Sequence, residues 1–285
     1  MKVLMFTGKG GVGKSTCAAA AAKGLAKRYK VLLVSTDYQP SLTSILKVDA
    51  RGRKASLGNL DVLELDEEIT RELWRKRFGE EVFRVISSFL NVDREIIDYV
   101  AEAPSIPEQF SLAMILWELP NYDYVVWDTS PVGGTLRLIR IEKEFYEHLG
   151  QAASLYLKVR GTLDRIRRGG EDPLTILRRW RKLAEDIFEM LRDRTTSYVV
   201  TTPEELPLRE AERAVKELRS FGIKVGGVIV NQVMSEDVLA VRLELQKKRV
   251  EEAKNIFGRI VVIPMYPEVT EEELNLMFER LATFI

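Results

Sequence analysis

The chain has 285 residues, 46 % of them apolar and 30 % charged, which suits one large α/β domain or one domain with an inserted lobe. Its 43 basic and 43 acidic side chains balance, so no global field draws it toward nucleic acid or anionic lipid. One cysteine, Cys17, and one histidine, His148, exclude an internal disulfide and a Cys/His zinc cluster within one chain. The apolar start is too short for a signal peptide, and no run approaches the roughly 18 apolar residues of a membrane span, so the cytoplasm is the expected compartment.

Val3–Thr7 reads as a short apolar strand that runs straight into Gly8-Lys9-Gly10-Gly11-Val12-Gly13-Lys14-Ser15, and an alanine-rich helix is expected over Thr16–Arg28. Strand, glycine-rich loop and helix in that order make a phosphate cradle. The glycines let successive N–H groups turn inward, and the helix N-terminus adds partial positive charge. Such a loop cradles the phosphates of a nucleotide, here expected to be ATP. Lys14 would reach its β- and γ-phosphates, Ser15 would place a hydroxyl on Mg²⁺, and Thr16 would sit near the α-phosphate. Lys9 is an extra lysine that the general pattern does not require.

Val31–Thr36 is the second expected strand, and its run Val31-Leu32-Leu33-Val34 suits burial on both faces of a parallel sheet. Asp37 follows it, at the sheet edge where phosphates would lie. There a carboxylate orients an attacking water and stands near the metal, or it caps the next helix. Val62–Leu65 is the third strand. From about residue 66 to 119, and again from about 140 to 194, no strand is visible and the spacing is helical. These stretches are expected to form a helical subdomain within a single domain covering residues 1–285. Phe83, Ile86, Phe89 and Leu90 with Phe110 and Met114 either fill its core or line a groove for an apolar helix. The basic residues between Lys158 and Lys182 either form a solvated face or meet an acidic or membrane-associated partner.

Tyr124–Asp128 is an apolar strand ending in a carboxylate, the Walker B arrangement, in which Asp128 helps hold Mg²⁺. Gly133-Gly134 then leaves the next loop free to change shape. Asp172-Pro173 predicts a helix start, and Phe221-Gly222 a helix end. Strands follow at Tyr198–Thr201, Val225–Asn231 and Ile260–Ile263. Asn231-Gln232 closes one of them, where an amide reads adenine or simply makes a turn; Pro264 follows the last. Thr270 to Glu273 predicts a capping box opening a final helix. That helix carries Leu274, Met277, Phe278 and Leu281 on one side, and its acidic start favours packing over membrane binding.

The form GKGGVGKS resembles the deviant phosphate loop of the class that includes nitrogenase iron protein, the MinD and ParA ATPases and the ArsA-type ATPases. In that class the early lysine, here Lys9, reaches across a dimer interface to the partner's nucleotide. The segments STDYQPSL, WDTSPVGGTLRLI, TTPEELPLREAERAVKEL and VIVNQV are similar to those of the ArsA family. That family comprises arsenite-pump ATPases and ATPases that target tail-anchored membrane proteins. The likeness runs in pieces from Met1 to about Val233. It implies a doubly wound, mainly parallel α/β sheet with a helical subdomain. It implies Mg²⁺-dependent ATP hydrolysis in a homodimer that switches between ATP and ADP states. Asp37 would activate water, Lys9 and Lys14 would neutralise phosphate charge, and Ser15, Asp37 and Asp128 would face the metal. Asn231, with Gln232 and Pro264, would flank the base. One cysteine does not suit arsenite binding, and the Cys-x-x-Cys pair of targeting ATPases is absent. A targeting or chaperone ATPase for hydrophobic segments is the first expectation. A MinD/ParA-like positioning ATPase is the alternative, and an anion-pump subunit the third.

Overall fold

The computed structural model describes residues 1–37, 41–90, 92–103, 106–130, 171–234, 240–266 and 270–285. The glycine pair at 133–134, His148, the basic residues from 158 to 168, and residues 38–40 and 267–269 lie outside the described residues.

Among the described residues eight strands form one sheet: β1 (Lys2–Gly8), β2 (Val31–Ser35), β3 (Ala55–Leu57), β4 (Leu60–Glu64), β5 (Tyr124–Asp128), β6 (Thr195–Thr201), β7 (Lys224–Val233) and β8 (Ile260–Pro264). Their spatial order is β3-β4-β2-β5-β1-β6-β7-β8. All neighbours are parallel except β3 against β4. The edge strand β3 escapes the sequence pattern because three partly or fully exposed residues carry no apolar period. The helices are α1 (Lys14–Ala26), α2 (Leu42–Leu46), α3 (Glu67–Ser87), α4 (Ile96–Ala101), α5 (Ile106–Glu118), α6 (Pro173–Glu189), α7 (Glu205–Ser220), α8 (Ala240–Phe257) and α9 (Glu271–Leu281).

The chain divides into two compact units: Met1–Asp66, Trp117–Leu136 and Leu191–Ile285 form the first, and Glu67–Leu116 with Arg137–Met190 the second. In the first unit, β1, β2 and β5 are central and their apolar side chains are buried on both faces. Ala18 to Ala22 of α1 are wholly buried, so this helix lies close against its neighbours with no bulk between them. Leu274, Met277 and Leu281 of α9 join the same core. The capping box at Thr270 and Glu273 opens α9 where the sequence places it. Asp172 caps α6 through the Leu174 N–H, with Pro173 at the first helical position. Gly222, at φ 77°, follows the end of α7.

The second unit has a core of its own around Trp74, Phe78, Val82, Ala101 and Phe110. Phe78 meets the edges of Phe110 at 5.9 Å and Trp180 at 6.5 Å. Of the apolar residues expected in this region, Phe110 is buried, while Phe89 and Leu90 lie beyond the end of α3 and are exposed. Beside the core is an apolar cavity of about 220 Å³, lined by Trp74, Phe78, Ile106, Phe110, Ala113 and Trp180 among others.

Candidate active site

The glycine-rich turn between β1 and α1 lies at the carboxyl end of the central strand. Gly13 is the N-cap of α1 at φ 87°, in the left-handed region that suits glycine. A Cβ there would lie 2.2 Å from Asn231 Nδ2, so a side chain at this position would also displace the Asn231 amide. Lys14 opens α1 and is 6 % exposed. Its Nζ donates to the Lys9 carbonyl oxygen at 3.2 Å, folding the ammonium over the loop. Burial lowers its pKa, while Asp128 and Asp37 act in the opposite direction by favouring its charge.

Asp128 ends β5, in register with Phe6 of β1 on one side and Ser35 of β2 on the other. It is wholly buried. Its Oδ2 accepts from Ser35 Oγ at 3.0 Å, and among the described residues its Oδ1 has no partner within close hydrogen-bond geometry. Burial pushes the carboxyl up to about 6, against the lowering effects of the Ser15 and Ser35 hydroxyls and of Lys14. Ser35 Oγ also accepts from the Asp37 N–H at 3.2 Å, so one buried hydroxyl joins the two acidic segments. Past the undescribed residues, Glu64 at the end of β4 is 1 % exposed and holds the start of α2. It accepts from the N–H groups of Ser41 at 2.6 Å, Leu42 at 2.9 Å and Thr43 at 3.2 Å. It also accepts from Thr43 Oγ1 at 2.5 Å.

Lys9 Nζ lies 3.7 Å from Glu210 Oε1 of α7, and both side chains are about one third exposed. Asn231 Nδ2 donates to the Val12 carbonyl at 2.8 Å, and Gln232 Nε2 to that of Gly11 at 3.1 Å. Ser15 and Thr16 are half-buried in the first turn of α1. Pro264 ends β8 opposite Val233. Thus Gly8 to Thr16, Asp37, Asp128, Asn231 and Gln232 come together, whereas Pro264 is placed only by its strand. Ser35, Glu64 and Glu210 were not visible as site residues. For Ser35 the available signal was a hydroxyl ending an otherwise apolar strand.

A hard cation suits these groups. Among the described residues the buried Asp128 Oδ1 is an acceptor without a close donor, and Ser15 and Asp37 add oxygen atoms. Among the described residues no three His, Cys, Asp or Glu side chains converge as a metal cage. A cation here would therefore draw most of its ligands from phosphate and water, as Mg²⁺ does. Cys17, directly behind the loop, is buried and its thiol is pushed up to about 12, chiefly by burial.

A lysine folded over a glycine-lined turn, at the head of a parallel sheet's central strand, places the chain among the P-loop nucleoside triphosphatases. The model of the ArsA_ATPase family, described as anion-transporting ATPase, matches residues 1–281, and the chain belongs to that family. It is 32 % identical over 300 residues to arsenical pump-driving ATPase 2 of Aquifex aeolicus, covering 100 % of this chain and 98 % of that protein. It is 30 % identical to ATPase GET3A of Arabidopsis thaliana, over 94 % of this chain and 79 % of that one. With ATPase get3 of Aspergillus terreus the identity is 30 %, over 95 % and 86 % of the two chains. The protein is an ATPase, and its substrate is a nucleotide.

Proposed function

We propose that the chain is a Mg²⁺-dependent ATPase acting in the cytoplasm as a nucleotide-switched homodimer that shelters hydrophobic segments, such as the membrane anchor of a tail-anchored protein. In this reading Lys14 and Lys9 neutralise phosphate charge, Asp37 positions the attacking water, and Ser15 and Asp128 hold the metal. Bound there, Mg²⁺ would offset the charge developing on the β- and γ-phosphates. The carbonyl oxygen of Asn231 would accept from the amino group of adenine, with Gln232 and Pro264 nearby. The helical unit is then a client-binding subdomain of one ATPase domain.

The observation that carries the client role is the aromatic-lined cavity of the helical unit. A cavity so apolar, with walls made by four helices, suits insertion of apolar side chains from a helix. The single cysteine is sealed behind the phosphate loop, so thiol binding of arsenite does not fit. The test co-expresses the protein with a tagged partner ending in a 20-residue apolar helix and measures capture in ATP and in ADP. Ala113→Phe, which fills the cavity, is expected to retain ATP hydrolysis and melting temperature while losing capture. Equal capture by a folded Ala113→Phe, or nucleotide-dependent binding to vesicles or DNA instead of the helix, would refute the proposal.

A further inference from the structure

β7 and β8 run in register from Val228 with Ile260 to Val230 with Val262, and their next pair is Val233 with Pro264. Three steps along β7 thus match two along β8. The extra residue is a bulge at Asn231-Gln232, where Gln232 takes φ 59°. That left-handed conformation strains a non-glycine residue. In a regular strand, neighbouring side chains point to opposite faces and could not serve one loop. Bulges next to active sites re-aim side chains. Here both amides donate to the same loop, and to consecutive carbonyls, Val12 O and Gly11 O.

The consequence lies in the peptide planes. In a trans peptide the C=O and the following N–H point in opposite directions. Holding Gly11 O outward turns the Val12 N–H the other way, and holding Val12 O outward does the same for the Gly13 N–H. Gly10, Gly11 and Gly13 make this stretch easy to flip, so its orientation needs an external hold. We infer that the Asn231-Gln232 bulge is a clamp on the phosphate loop, with Gln232 a positioning residue that turns backbone N–H groups toward the phosphates. This rests on the proposed reading of the loop as the phosphate cradle, and it gives Gln232 a task separate from recognition of the base.

Gln232→Gly tests it, because glycine keeps the left-handed backbone without strain and removes only the amide. Binding of fluorescent mant-ATP and mant-ITP is titrated in EDTA. ITP keeps the purine and lacks the exocyclic amine. Losing one hydrogen bond predicts that both affinities fall by the same factor, about three- to tenfold, with no drop in melting temperature. Gln232→Ala, lacking the amide and retaining the strain, should show the same loss. Unchanged affinity for both nucleotides would overturn the clamp, as would a loss confined to mant-ATP, which would make Gln232 a base contact. Lys14→Ala separates the two levels. Wild-type binding by that variant would remove the cradle itself, whereas lost binding there with intact binding by Gln232→Gly would remove the clamp alone.

Discussion

Replacing Asp128 by asparagine is expected to stabilise the nucleotide-free protein while abolishing its ATPase activity. The carboxyl is wholly buried, and burial raises its pKa from 3.8 to about 6. Below pH 3.8 the group is neutral in both the folded and the unfolded chain, and there is no penalty. As pH rises toward 6 the unfolded chain ionises first, so the folded state loses stability through that window and regains none above it. The shift corresponds to roughly 3 kcal/mol at neutral pH. Asparagine keeps an oxygen for Ser35 Oγ and has no charge to bury. For a chain of 285 residues such a gain raises the melting temperature by roughly 5 °C. The assay is a set of thermal melts in EDTA at pH 4, 5, 6 and 7.5. The gap between variant and wild type should open between pH 4 and 6 and then stay level. An Asp128→Asn protein that melts at or below wild type at pH 7.5, or a gap that ignores pH, would refute the account of a charge held at a cost for the sake of the metal.

Gly24→Ala puts a helix-favouring residue into α1, a gain of about 1 kcal/mol, but its Cβ would lie 2.0 Å from the Phe278 ring of α9. Overpacking of this kind costs about 1–3 kcal/mol, so a lower urea midpoint at unchanged slope is expected, and a raised midpoint would show that Phe278 swings aside freely. Glu64→Gln replaces one of the two oxygens that share four donors at the start of α2. A loss of about 2 kcal/mol and faster proteolysis near residue 41 are expected; wild-type resistance would mean that Glu64 does not anchor the segment after Asp37.

Much of this arrangement was legible because it follows from local rules. The glycines before Lys14, the apolar run ending at Asp128 and the caps at Asp172 and Thr270 act over a few residues and leave their mark in order. The apolar strands announced a parallel sheet, as double burial removes any alternation. What stayed hidden depends on register between distant segments. Ser35 gains its place only because β2 lies beside β5, and Glu210 meets Lys9 only once α7 is folded. The double use of Asn231 and Gln232 arises from one extra residue in β7 relative to β8, and a strand read alone cannot show a mismatch with its neighbour. In the helical unit an apolar period reports burial of a helix face and leaves open whether the space beside it is filled.

The position of Cys17 carries a practical consequence. It is the chain's one thiol, in the second turn of the nucleotide helix, walled in by buried alanines and unreactive while that helix stays in place. Its rate of alkylation therefore works as a clock for how often α1 comes away from the sheet, read from a single atom that the native sequence already supplies.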